Sequence, residues 1–299
     1  MSGSARVAFG RPLIFSALAS WARGFVKVIA YIDGFNLYHG CLKGTPYRWL
    51  DLHQLVANIL RTKPSSLQVK YFTARVSAKT KASSPVTQAM YLRALQHSGV
   101  EFFEGNFAIR EKWIPEVGTG IMRHVTVYEE KGSDVNLATH LVFDACQKRF
   151  DRAVVVTNDT DLVEPIAICT RELAASVWLC SPYPRAHTGL VTAATTSREI
   201  KTAWLRSAQF PLAIPHASGL ISKPEKWIAQ DIVFLARELT RTGDRAGAIR
   251  VLNAMAMAQE GLLFNQATLA MLRRCQHDPL EPANFNVAIE ALWKETKRA

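Results

Sequence analysis

Five consecutive apolar positions, Val28 to Ile32, end on Asp33, Gly34 and Asn36. An apolar run that short, closed by turn-forming residues, predicts a buried strand. The rhythm then repeats. WLDLHQLVANILR has helical spacing, VKYFTA reads as a second strand, and SSPVTQAMYLRALQHSG predicts a helix closed by Gly99. VEFFEG is a third strand. NFAIREKWIPEVGTG shows no clear period and is expected to be an irregular excursion, followed by a short edge strand at RHVTVYEEK. In SDVNLATHLVFDACQKRF, Leu137, Leu141, Val142 and Ala145 share one helical face, and Lys148 and Arg149 suit the C-terminal end of the dipole. RAVVVTN predicts a fourth core strand, DLVEPIAICTREL a helix, and ASVWLCS a fifth strand.

Alternation this regular predicts an α/β fold, a Rossmann-like doubly wound parallel sheet with helices on both faces, over residues 26–215. From residue 220 to 299 the spacing is helical, with breaks at TRTGD, QEGLLFN and HDPLEP, so about four short helices should form a small C-terminal unit. Residues 1–25 contain three arginines and no acid. Their apolar patch, Leu13 to Ala19, is short for a secretory signal, and a loosely ordered extension is expected. No stretch reaches the length of a membrane-spanning helix, and a cytoplasmic location is the expectation.

Charge adds a second layer. The chain of 299 residues carries a net charge of +11. Residues 1–215 hold 25 Lys and Arg against 16 acids, while residues 216–299 hold 11 against 9. Such a surplus suits a polyanionic partner, and equally a solvated basic face. It is densest over residues 41–81, where eight cations face Asp51 alone. Five cysteines, odd in number and widely spaced, argue against a zinc site or a disulfide framework; Cys146, Cys169 and Cys180 sit in apolar runs and are expected to pack.

Four acids stand where chemistry is possible: Asp33, Asp134, Asp159 and Asp161. Each has an ordinary explanation as a turn, helix-start or capping residue. Topology changes the weighing, because parallel strands all end at one edge. Asp33 and Asp159 become neighbours there if the first and fourth strands flank the switch point. The helix starting at Asp134 must run back along the sheet, so its N-terminus lies at the same edge. Four converging carboxylates would repel one another, and a hard divalent cation, Mg²⁺ or Mn²⁺, relieves that. In a basic protein the expected chemistry is metal-assisted hydrolysis of a phosphodiester.

The segments YIDGFNLYHG, YFTARV, VEFFEGNF, EEKGSDVNLATHLVFDA, FDRAVVVTNDTDLVEPI and LRSAQFP resemble the bacterial NYN domain group, relatives of the PIN-domain ribonucleases. The resemblance runs over roughly residues 27–211 and is most specific at DGFN, KGSDVNLA and NDTDL. It implies a PIN-like sheet and a metal-dependent endoribonuclease acting on single-stranded RNA. Asp33, Asp134, Asp159 and Asp161 would then be catalytic metal ligands, with Asn36 beside them toward the substrate; Lys131 would contact a phosphate or stand solvated on its turn, and Thr157 would meet the substrate or bond the backbone at the strand end. The C-terminal helices are left for a homodimer or a protein partner. Two alternatives stand beside it: an RNA-binding regulator that keeps the crevice without turnover, and a haloacid-dehalogenase-type phosphatase suggested by VVVTNDTDL. The latter needs its paired acids after the first strand, where this chain has D-G-F-N.

Overall fold

The structure, a computed structural model, describes residues 26–62, 64–75, 84–258, 287 and 289–294. Its strands are β1 (Lys27–Asp33), β2 (Ser66–Ala74), β3 (Glu101–Pro115), β4 (Met122–Lys131), β5 (Arg152–Val156), β6 (Val177–Ser181) and β7 (Thr196–Glu199). They form one sheet in the order β4-β3-β2-β1-β5-β6-β7, parallel throughout except for β4 against β3. The expected α/β class is therefore observed. β1 lies between β2 and β5, so the strand order reverses beside it and a crevice opens at the carboxyl end of β1 and β5.

Side-chain alternation in β1 feeds two cores. Val28, Ala30 and Ile32 pack on one face with α2 (Leu52–Leu60) and α3 (Ser84–His97), the first helix following α1 (Gly34–Leu37). Ile29 and Tyr31 pack on the other with α4 (Ser133–Cys146), α5 (Val163–Ala167) and α6 (Thr188–Ala193). A strand buried on both faces has no polar side, which is why KVIAYID reads as a continuous apolar run. Asp51 caps α2 by accepting from the backbone N–H groups of His53 and Gln54.

After α7 (Thr202–Ser207), a small hairpin of β8 (Ala213–His216) and β9 (Gly219–Ser222) leads into α8 (Glu225–Arg241) and α9 (Arg245–Ala258). Trp227 of α8 meets Trp49 and Tyr91 of the first core, with ring centroids 6.3 and 5.9 Å apart. Arg48 lies 5.0 Å over the Trp227 ring and donates to Gln230 and Asp231 at 2.5 and 3.5 Å. One cation of the basic stretch thus pins the C-terminal helices to the sheet domain. Lys63 and residues 76–83 of that stretch lie outside the described residues, as do the proposed extension 1–25 and most of the chain after residue 258.

The segment expected to be irregular is instead regular. β3 continues to Pro115, and Asn106 to Pro115 pair with Lys131 to Met122 in a long hairpin. From Arg110 to Thr126 every side chain but Val125 is exposed, so no buried face imposes alternation and the sequence carries little period there. The short polar strand β7 also lacked an apolar signal.

Candidate active site

Asp33 is the last residue of β1 and caps α1. It is 2% exposed. Its Oδ1 accepts from the backbone N–H of Asn36 at 2.9 Å, and its Oδ2 accepts from Asn36 Nδ2 at 2.7 Å and from Thr157 Oγ1 at 2.9 Å. The Thr157 hydroxyl accepts in turn from the Asp159 backbone N–H at 3.1 Å, and Asn36 Oδ1 from that of Asn158 at 3.2 Å. Asn36 and Thr157, expected to touch substrate, are spent on holding Asp33 and tying the end of β1 to the end of β5.

Gly34 follows Asp33 because nothing larger fits. A Cβ there would stand 2.7 Å from the Tyr71 ring and 2.8 Å from the Phe72 carbonyl oxygen. An alanine would have to push β2 away, so the glycine serves close backbone approach.

Asp134 enters from the first turn of α4, which begins after Gly132 at φ 95°, a left-handed conformation suited to glycine. Asp159 stands three residues beyond the end of β5 and accepts the Asp161 N–H at 3.0 Å. One carboxylate oxygen from each of Asp33, Asp134 and Asp159 lies within 4.8 Å of the others. Asp161 is exposed and is not one of these three; Lys131 is exposed at the foot of the β3–β4 hairpin. Burial pushes the Asp33 pKa above its ordinary value, the donors from Asn36 and Thr157 oppose this, and the charge of Asp159 adds to the rise. A bound divalent cation or a retained proton would relieve such a cluster. Among the described residues the group has no histidine, so it differs from the two-histidine, one-carboxylate set of non-haem iron oxygenases.

Cysteine chemistry is not offered here. Burial pushes the thiols of Cys41 and Cys180 up to about 12. Cys146, expected to pack, is exposed.

A wide cleft of about 2140 Å³ opens between the loop after β6 and helices α7 and α8, and none of the three carboxylates lines it. Arg61, Arg185, Lys201 and Arg206 line it with Trp204 and Tyr47. Asn158 connects crevice and cleft: its Nδ2 donates to the Arg185 carbonyl at 3.4 Å and its Oδ1 accepts from the His187 N–H at 2.8 Å. The densest run of cations along the chain is at residues 41–81. The cleft's cations are scattered along the chain and gathered by folding, so no local charge run marked them.

Fold and site together define an α/β protein with a carboxylate crevice at the switch point of its sheet. No family model matches the chain. It is 33% identical over 259 residues, 74% of this chain and 82% of the relative, to 6-hydroxy-3-succinoylpyridine 3-monooxygenase HspA of Pseudomonas putida (strain DSM 28022 / S16), and it belongs to the family of that enzyme. Solved structures similar to it include a Vibrio parahaemolyticus RIMD 2210633 protein of unknown function, VPA0982. That likeness has 17% identity, covers 59% of this chain and 94% of that one, and has a TM-score of 0.41. Acinetobacter baumannii MurG is matched at 13% identity over 62% of this chain and 43% of its own, with a TM-score of 0.30.

The relationship overturns the expected endoribonuclease, and the RNA-binding alternative with it, because the related enzyme is a monooxygenase. The physical reason for the error is plain. Topology dictates where three carboxylates meet, but the same carboxylates serve hydrolysis, acid–base work or charge stabilisation. Part of the basic surplus that pointed to a polyanion is also internal: Arg48 pins α8, and Lys70 is buried against Asp144. Among the described residues no helix is long and apolar enough to cross a membrane.

Proposed function

We propose that this protein is a monooxygenase that acts on a hydroxylated N-heteroaromatic ring bearing an acidic side chain, with Asp33 as the proton acceptor. The family relationship carries the reading, since the named substrate of the relative is a hydroxypyridine with a succinoyl group. Two features of the site support it. The cleft's arginines suit the carboxylate of such a substrate. Asp33, held in one orientation by three donors and raised in pKa by burial, suits removal of a proton from a ring hydroxyl, which leaves the ring richer in electrons for attack on oxygen.

Monooxygenation also consumes two electrons from a donor. The turn that cradles a pyrophosphate in dinucleotide-binding Rossmann folds is D-G-F-N here, packed shut against β2 at Gly34. No step is assigned to a dinucleotide at that position.

The test is to incubate the purified full chain with 6-hydroxy-3-succinoylpyridine, isotopically labelled dioxygen and, in separate arms, reduced nicotinamide and reduced flavin. The expected result is one labelled oxygen atom in the aromatic product with at least one donor. Unlabelled product, or substrate untouched in every arm while the HspA control turns over, would falsify the reading.

A further inference from the structure

Beyond Gly105, and among the described residues, β3 pairs only with β4. Ten residue pairs thus project past the sheet as a two-stranded ribbon, about 33 Å at the usual rise of a strand. A ribbon of that kind is at best marginally stable alone in water. Its tip also carries an unusual load. Trp113, Ile114, Val117, Ile121 and Met122 are 64, 43, 99, 57 and 51% exposed, five of the fourteen exposed large hydrophobic side chains among the described residues. They fall within ten positions, whereas scattered single apolar residues would need no explanation.

Charge decides what covers this tip. The chain carries +11, but residues 106–131 hold Arg110, Lys112, Arg123 and Lys131 against Glu111, Glu116, Glu129 and Glu130, and are neutral. A polyanion or an acidic membrane surface would be drawn to the basic remainder of the molecule. Two copies of a chain that carries +11 repel each other little through a segment with no net charge. Each arm also brings charges of both signs in equal number, which a two-fold contact can match against themselves.

We propose that the β3–β4 arm is a dimerisation element, its apolar tip buried against a second copy of the chain with Trp113 as the anchor. The contact is independent of the C-terminal helices and of the enzymatic reading.

Sedimentation velocity of the full chain tests this over a wide concentration range. Wild type should sediment as a dimer. Trp113→Glu with Met122→Glu should raise the dimer dissociation constant about tenfold or more, the loss expected when an aromatic anchor is removed. Val117→Asp provides a second variant at a loop position almost fully exposed, where folding is not at stake, and should weaken the dimer in the same direction with an unchanged circular dichroism spectrum. Raising the salt should leave the dimer intact. A monomeric wild type at all concentrations overturns the proposal, as does a dimer indifferent to all three substitutions or one that dissolves in salt.

Discussion

Asp144→Ala is expected to destabilise the protein by about 3–5 kcal/mol, the usual cost of removing one partner from a buried ion pair. Asp144 and Lys70 are fully and nearly fully buried, on α4 and β2. Lys70 Nζ lies 2.5 Å from Asp144 Oδ2, which also accepts from the Tyr31 hydroxyl at 2.7 Å; Arg149 donates to Oδ1 at 3.0 Å. Burial alone would raise the Asp144 pKa, but the bonds and charge of Lys70, with those of Tyr31 and Arg149, outweigh it and hold the group below its ordinary value. Because the folded pKa is depressed, this contribution is fully present above the unfolded carboxylate value, near pH 4, and is lost as pH falls through the folded value. The alanine variant should therefore melt about 10 °C lower at neutral pH, and should lack that part of the wild-type acid decline. Asp144→Leu with Lys70→Met should recover most of the loss, since an apolar pair of similar volume leaves no stranded charge. A single variant as stable as wild type in urea would remove the network from the account of this fold.

The network shows how unevenly the molecule could be read beforehand. β1, β2, β5 and β6 were legible because burial on both faces writes itself as apolar runs, and their common direction followed from the intervening helices. From that the meeting of Asp33, Asp134 and Asp159 could be argued before any coordinate. Asp161 shows where such an argument overreaches, because in a tight turn a spacing of two sends neighbouring carboxylates different ways. Lys70 looked like one more surface cation, although it sits within a strand whose neighbours are buried. Its partner is 74 residues away, and no local pattern records that pairing. β4 was expected as an edge strand, but the outer half of β3 was missed for the opposite reason: from Arg110 onward its side chains are exposed, with no buried face to impose a period. Reaction type was least legible, because the same acids at the same edge suit more than one chemistry.

Asp33→Asn should cut turnover sharply while leaving the fold intact. If Asp33 accepts the proton, the loss in kcat should be about 10²–10⁴-fold, with KM for the aromatic acid little changed, because the cleft's cations are untouched. Stability and activity are expected to respond separately. The folded pKa of Asp33 is raised, so its contribution favours the fold below the ordinary carboxylate value and becomes a penalty as pH rises through the folded one. Asparagine removes that penalty at neutral pH, although one of the three donors from Asn36 and Thr157 loses its acceptor, at about 1 kcal/mol. The two effects oppose each other, and the variant should fold as the wild type does, with an unchanged circular dichroism spectrum. The pH profile supplies an independent reading. In wild type the acid limb of kcat should lie above the range of an ordinary carboxylate, since the base must be ionised to work, and residual activity of the variant should lack that limb. A chelator arm separates the two ways of relieving the cluster. Activity that survives chelation and dies with Asp33→Asn supports proton transfer, whereas activity abolished by chelation and restored by Mn²⁺ gives the three carboxylates to a cation instead.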